Sequence, residues 1–70
     1  MNERKTMTLN LTEREMTVLE DLSRKKELSK TAVVRQALRL YQVIEARLTE
    51  GEKLFFEDEK AQRRSEVMVL

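Results

Sequence analysis

Seventy residues suffice for one small domain, and a domain near this size hides only about 60% of the surface its unfolded chain exposes. The chain has no cysteine and no histidine; this excludes a disulfide framework and zinc sites built on thiolate or imidazole, and leaves association as the route to a sufficient core. The formal net charge is +1, yet ten Lys/Arg against seven Asp/Glu leave residues 1–48 at +3, while four against six leave residues 49–70 at −2, a mildly basic body with an acidic end.

The first element in chain order is Lys5 to Leu11, K-T-M-T-L-N-L. Met7, Leu9 and Leu11 alternate with Thr6, Thr8 and Asn10, the period of a half-buried strand. A helix start follows directly. Thr12 is a good N-cap and Glu15 stands three residues on, the capping-box spacing, with Glu13 and Glu15 placed where the helix dipole favours negative charge. Met16, Leu19 and Leu22 recur at three-residue steps and predict an amphipathic helix over about Glu13–Lys25, closed by Arg24, Lys25 and Lys26.

A short turn leads to a second cap at Ser29. Val34, Ala37, Tyr41, Ile44 and Leu48 then form a helical stripe, which Val33, Leu38 and Leu40 widen beyond one narrow face. A stripe that wide fits burial against more than one neighbour. The helix is expected to end near Thr49, with Gly51 as its breaker.

The tail allows two readings. Leu54, Phe55 and Phe56 form one apolar stretch and Val67–Leu70 another, with polar Asp58–Gln62 between them. These stretches fit a β-hairpin; they also fit an arm that orders only on a partner.

A lone strand ahead of two helices has no partner for its backbone groups. The economical solution is a two-fold dimer in which the strand pairs with its own copy. The expected fold is therefore mainly α with a short β-ribbon. Met7, Leu9 and Leu11 would cover a core shared with Leu19 and Leu22 of the first helix. Val34, Ala37, Leu38 and Tyr41 would supply the second helix's part of that dimer core. Thr6, Thr8 and Asn10 would face outward on a ribbon of the width that enters the major groove of DNA. Asn can pair with the N6 and N7 edge of adenine, and Thr offers a hydroxyl and a methyl.

The run from Thr6 through Tyr41 resembles the ribbon-helix-helix family, the MetJ/Arc class, and is most similar to small CopG-type repressors. The matching stretches are T-M-T-L-N-L-T, V-L-E-D-L in the first helix, and L-S-K-T-A-V-V-R-Q-A-L-R-L-Y in the second. The resemblance implies an intertwined homodimer that acts as a sequence-specific DNA-binding transcriptional repressor. It places Thr6, Thr8 and Asn10 at the base-reading positions and Ser29, Lys30 and Thr31 at a phosphate clamp. Helix-end chemistry agrees, because a helix N-terminus presents unpaired N–H groups and partial positive charge, to which Lys30 adds a full one. Arg4 and Lys5 extend the expected phosphate contacts. The expected partners are an operator in double-stranded DNA and a second copy of the chain; whether dimers assemble further and cooperatively on DNA is left open by the sequence.

The family usually carries glycine ahead of the second helix, where Glu27 stands here. If that position is left-handed, Glu27 costs about 1 kcal/mol; otherwise the turn has relaxed. Arg35 and Arg39 read as helix-surface or intersubunit pairing residues.

On this basis residues 1–49 form the ribbon-helix-helix DNA-binding and dimerisation domain and residues 50–70 a C-terminal extension, for which the folded β-hairpin is the favoured reading. The alternative function is that of an antitoxin-type protein, whose C-terminal segment holds a protein partner while the N-terminal domain regulates its own operon. An enzyme is not expected, since the side chains most used for acid–base and nucleophilic work are absent. No cofactor or metal is expected either. The opening residues hold no apolar run of signal-peptide length and no stretch approaches a membrane span, so a cytoplasmic location is the expectation.

Overall fold

A computed structural model of the chain describes residues 4–69. It contains two helices and a hairpin: α1 (Glu13–Lys26), α2 (Lys30–Thr49), β1 (Phe55–Asp58) and β2 (Arg63–Glu66). The chain groups into two compact units, one up to Val34 and one from Arg35 onward, with α2 contributing to both.

The first unit is organised by helix ends. Thr12 caps α1 with a complete capping box: its hydroxyl accepts the Glu15 amide at 3.1 Å, and the Glu15 carboxylate accepts the Thr12 amide at 2.9 Å. Two orphan donors of the first turn are thus satisfied reciprocally. Asp21 pairs with Arg24 at 2.9 Å and Lys25 at 3.1 Å, the (i, i+3) and (i, i+4) spacings that meet on a helix surface. At the far end Glu27 takes a left-handed backbone, φ 53° and ψ 44°. Its amide donates to the Arg24 carbonyl, and the Leu28 amide reaches back to the Ser23 carbonyl at 3.0 Å. This is a Schellman closure. The Ser23 hydroxyl donates to the carbonyl of Leu28 across the same turn. Glu27 therefore stands in the strained conformation; the turn has not relaxed to avoid it.

Ser29 then opens α2, its hydroxyl accepting the Ala32 amide at 3.1 Å and its carbonyl the Val33 amide at 3.0 Å. In the first unit Leu11, Leu19, Leu28, Ala32 and Val34 are half-buried, and Val33 is 6% exposed. Val33 is the one buried residue among those described.

In the second unit α2 closes as α1 does. Gly51 has φ 93°; its amide donates to the Leu48 carbonyl at 3.0 Å, and the Glu52 amide to the Arg47 carbonyl at 3.1 Å. The Arg47 guanidinium fastens the same turn, gripping the Glu52 carboxylate at 2.7 and 3.1 Å.

The tail is a folded antiparallel hairpin with register Phe55–Glu66, Phe56–Ser65, Glu57–Arg64 and Asp58–Arg63. The two apolar stretches do not pair strand to strand. Phe55 and Phe56 stand opposite polar residues, and among the described residues the one backbone hydrogen bond between the stretches runs from the Val67 amide to the Leu54 carbonyl at 2.7 Å. Two local facts place the turn. Asp58 accepts the amides of Lys60 and Ala61 on one carboxylate oxygen, an Asx turn. Gln62 then turns the chain back with φ 52°. That register also sets Glu57 against Arg64 and Asp58 against Arg63, opposite charges at each position.

No helix among the described residues is long and apolar enough to cross a membrane.

Candidate functional site

The expected base readers lie ahead of α1. Arg4–Leu11 has no regular secondary structure, and among the described residues no hydrogen bond or ion pair restrains it. The strand expected over Lys5–Leu11 is therefore absent from the single chain. The physical reason is that a strand is held by a ladder to a neighbour, and the one sheet in the described residues is the hairpin. Thr6, Thr8 and Asn10 are exposed, as are Arg4 and Lys5. Met7 and Leu9, the apolar alternates, are exposed as well, at 77% and 52%. Leu11 is half-buried where the chain enters α1.

Ser29, Lys30 and Thr31 are brought together at the start of α2. With Ser29 taking the Ala32 amide, the amides of Lys30 and Thr31 remain open donors among the described residues, at the positive end of a 20-residue helix. No acidic residue occupies that first turn. Lys30 is not idle: its ammonium lies 3.5 Å from the Glu20 carboxylate, a surface pair that solvent screens. No hydrogen bond joins this group to Thr6, Thr8 or Asn10 among the described residues.

The residues expected in a dimer core are largely open in the single chain. Leu22, Ala37, Leu38 and Tyr41 are exposed, and Leu19 and Val34 half-buried. Arg35 and Arg39 are exposed on α2, in keeping with a surface position.

Sequence reasoning missed an apolar groove of about 570 Å³ in the second unit. Leu40, Val43, Ile44 and Leu48 of α2 line one part of it, and Leu54, Phe55 and Phe56 another. Arg47, Glu52, Lys53 and Arg64 complete its wall. The Arg64 guanidinium sits over the Phe55 ring, 4.2 Å from its centre, a cation–π contact that hides one face of the ring. The Arg47–Glu52 grip lowers Glu52 from its ordinary value by hydrogen bonding and charge, and raises Arg47 reciprocally. A spacing of five residues is not a helix-surface spacing. The only signal for it was Gly51, whose left-handed turn folds Glu52 back over Arg47.

Compared with protein-family profiles, curated proteins and solved structures, the chain matches none of them.

Proposed function

We propose that the chain is a sequence-specific regulator of transcription, a repressor, which binds double-stranded DNA as a two-fold dimer. Two Lys5–Leu11 segments pair as an antiparallel ribbon in the major groove, with Thr6, Thr8 and Asn10 toward the base edges. Ser29, Lys30 and Thr31 hold phosphates on either side, and Arg4 and Lys5 add charge.

The observation that carries this reading is the state of Arg4–Leu11. Among the described residues its backbone finds no partner, its apolar alternates Met7 and Leu9 lie open, and Leu38 on α2 is 69% exposed. A second copy supplies the missing ladder and the missing core at once. The polar alternates are then the side chains left to face a ligand.

The test is selection from a random duplex library, with the wild type beside a Thr6→Ala/Thr8→Ala/Asn10→Ala variant. A short motif with two-fold symmetry, enriched by the wild type alone, supports the ribbon as the reading head. No enrichment by folded wild type overturns it.

A second reading is favoured by the groove of the second unit, whose apolar lining and exposed Phe56 suit an apolar segment of another protein. On that reading the protein is of antitoxin type, holding a partner through residues 50–70. A failed selection together with a partner whose binding is lost in Phe56→Ala distinguishes it.

A further inference from the structure

We propose that the outer edge of β2 is a self-association surface, on which a second copy of the hairpin adds antiparallel to make a four-stranded sheet centred on Ser65. The proposal rests on the hairpin alone and holds whether or not the chain reads DNA.

The backbone decides which groups are free. In an antiparallel pair, hydrogen-bonded and non-hydrogen-bonded positions alternate. The bond from the Val67 amide to the Leu54 carbonyl makes that pair a bonded one. Alternation along the register then makes Phe56–Ser65 and Asp58–Arg63 bonded pairs and turns the amides and carbonyls of Arg64 and Glu66 outward. All four residues of β2 are exposed.

Charges on an edge strand ordinarily ward off pairing. Here the register determines whether they do. Opposed residues in an antiparallel ladder share a face, so a two-fold axis normal to the sheet must pass midway between one residue and its own copy. Centred on Arg64, the pairing sets Arg64 against itself. Centred on Glu66, it sets Glu66 against itself. Centred on Ser65, it sets Arg64 against Glu66 of the second copy, twice, and these are the residues whose backbone groups point outward. That register closes four hydrogen bonds within the strands, where either alternative closes two. It also places Arg64 between Glu57 of its own hairpin and Glu66 of the second copy. Like charges exclude the wrong registers, and opposite charges favour one.

The axis gives a direct test. Ser65 would face its own copy at a non-hydrogen-bonded position, with Cα atoms about 4.5 Å apart, inside the disulfide range of about 4.4–6.8 Å. The natural chain has no cysteine, so Ser65→Cys and, in the turn, Lys60→Cys each carry a single thiol. Under mild oxidation Ser65→Cys is expected to cross-link at least tenfold faster than Lys60→Cys. Adding Arg64→Glu or Glu66→Arg to Ser65→Cys sets like charges opposite and should bring its rate down to that of Lys60→Cys. Mixing the two charge variants restores opposite charges at both positions and should restore the fast rate, as a mixed dimer. Equal rates for Ser65→Cys and Lys60→Cys, or no recovery on mixing, overturns the proposal.

Discussion

Glu27 and Gly51 do the same work at successive helix ends. Each is left-handed, at φ 53° and 93°. Each donates its amide three residues back, to Arg24 and Leu48, while the next residue reaches five back, from Leu28 to Ser23 and from Glu52 to Arg47. Glycine meets no steric penalty in that region, whereas a side chain with a Cβ costs about 1–2 kcal/mol there.

Glu27→Gly should therefore stabilise the fold. Set against the extra unfolded-state freedom of glycine, about 0.4–1 kcal/mol, the relief leaves a gain of up to roughly 1.5 kcal/mol. Chemical denaturation at fixed protein concentration reads it. An unchanged or lower midpoint would show that the Glu27 side chain earns its strained place by an interaction of its own.

Asn10→Ala removes one side of the proposed bidentate contact to a base. On the selected motif it should lose about 1–3 kcal/mol of binding and relax preference at one position of each half-site. Titrations on the motif and on random duplex separate this from a general loss. An equal drop on both contradicts a base-reading role.

Lys30→Ala should weaken binding to every sequence. Each phosphate contact removed should also flatten the plot of log affinity against log salt by about 0.9. Because Lys30 must leave Glu20 to reach a phosphate, Glu20→Gln is expected to strengthen binding slightly at low salt. A salt slope unchanged in Lys30→Ala removes that residue from the clamp.

Two carboxylates are held below their ordinary values by ion pairs. Hydrogen bonding and charge from Lys25, followed by Arg24, lower Asp21 below its ordinary value of 3.8. Arg47 lowers Glu52 below 4.5. A carboxylate depressed on folding contributes stability above its unfolded value, and that contribution is lost as pH falls through the folded one. Both groups are solvent-exposed, so the loss is shallow. Carboxyl NMR titration should find midpoints below 3.8 and 4.5, and Lys25→Ala should move Asp21 upward. A midpoint for Asp21 at or above 3.8 refutes the pairing.

Helix limits were legible because capping is local. Thr12 with Glu15, Ser29 and Gly51 mark positions whose hydrogen bonds close within five residues, and the structure makes those bonds. The left-handed state of Glu27 was legible only as a condition, since its side chain does not favour that region. The hairpin was legible as two apolar stretches and its register was not. Register follows from the Asp58 Asx turn and the left-handed Gln62, and glutamine carries no turn signature of its own. The strand expected over Lys5–Leu11, which the single chain does not form, marks another limit. Alternation records the face a segment is suited to bury, and says nothing of whether the surface that buries it belongs to the same chain.

With Val33 its one buried residue among those described, the chain has little of its own with which to resist unfolding. On the dimer proposed above, folding and pairing become one equilibrium, and its midpoint depends on how much protein is present. Dilution then acts as a denaturant. The amount of dimer would rise more steeply than the amount of chain synthesised, and halving the supply would lose more than half of the dimer.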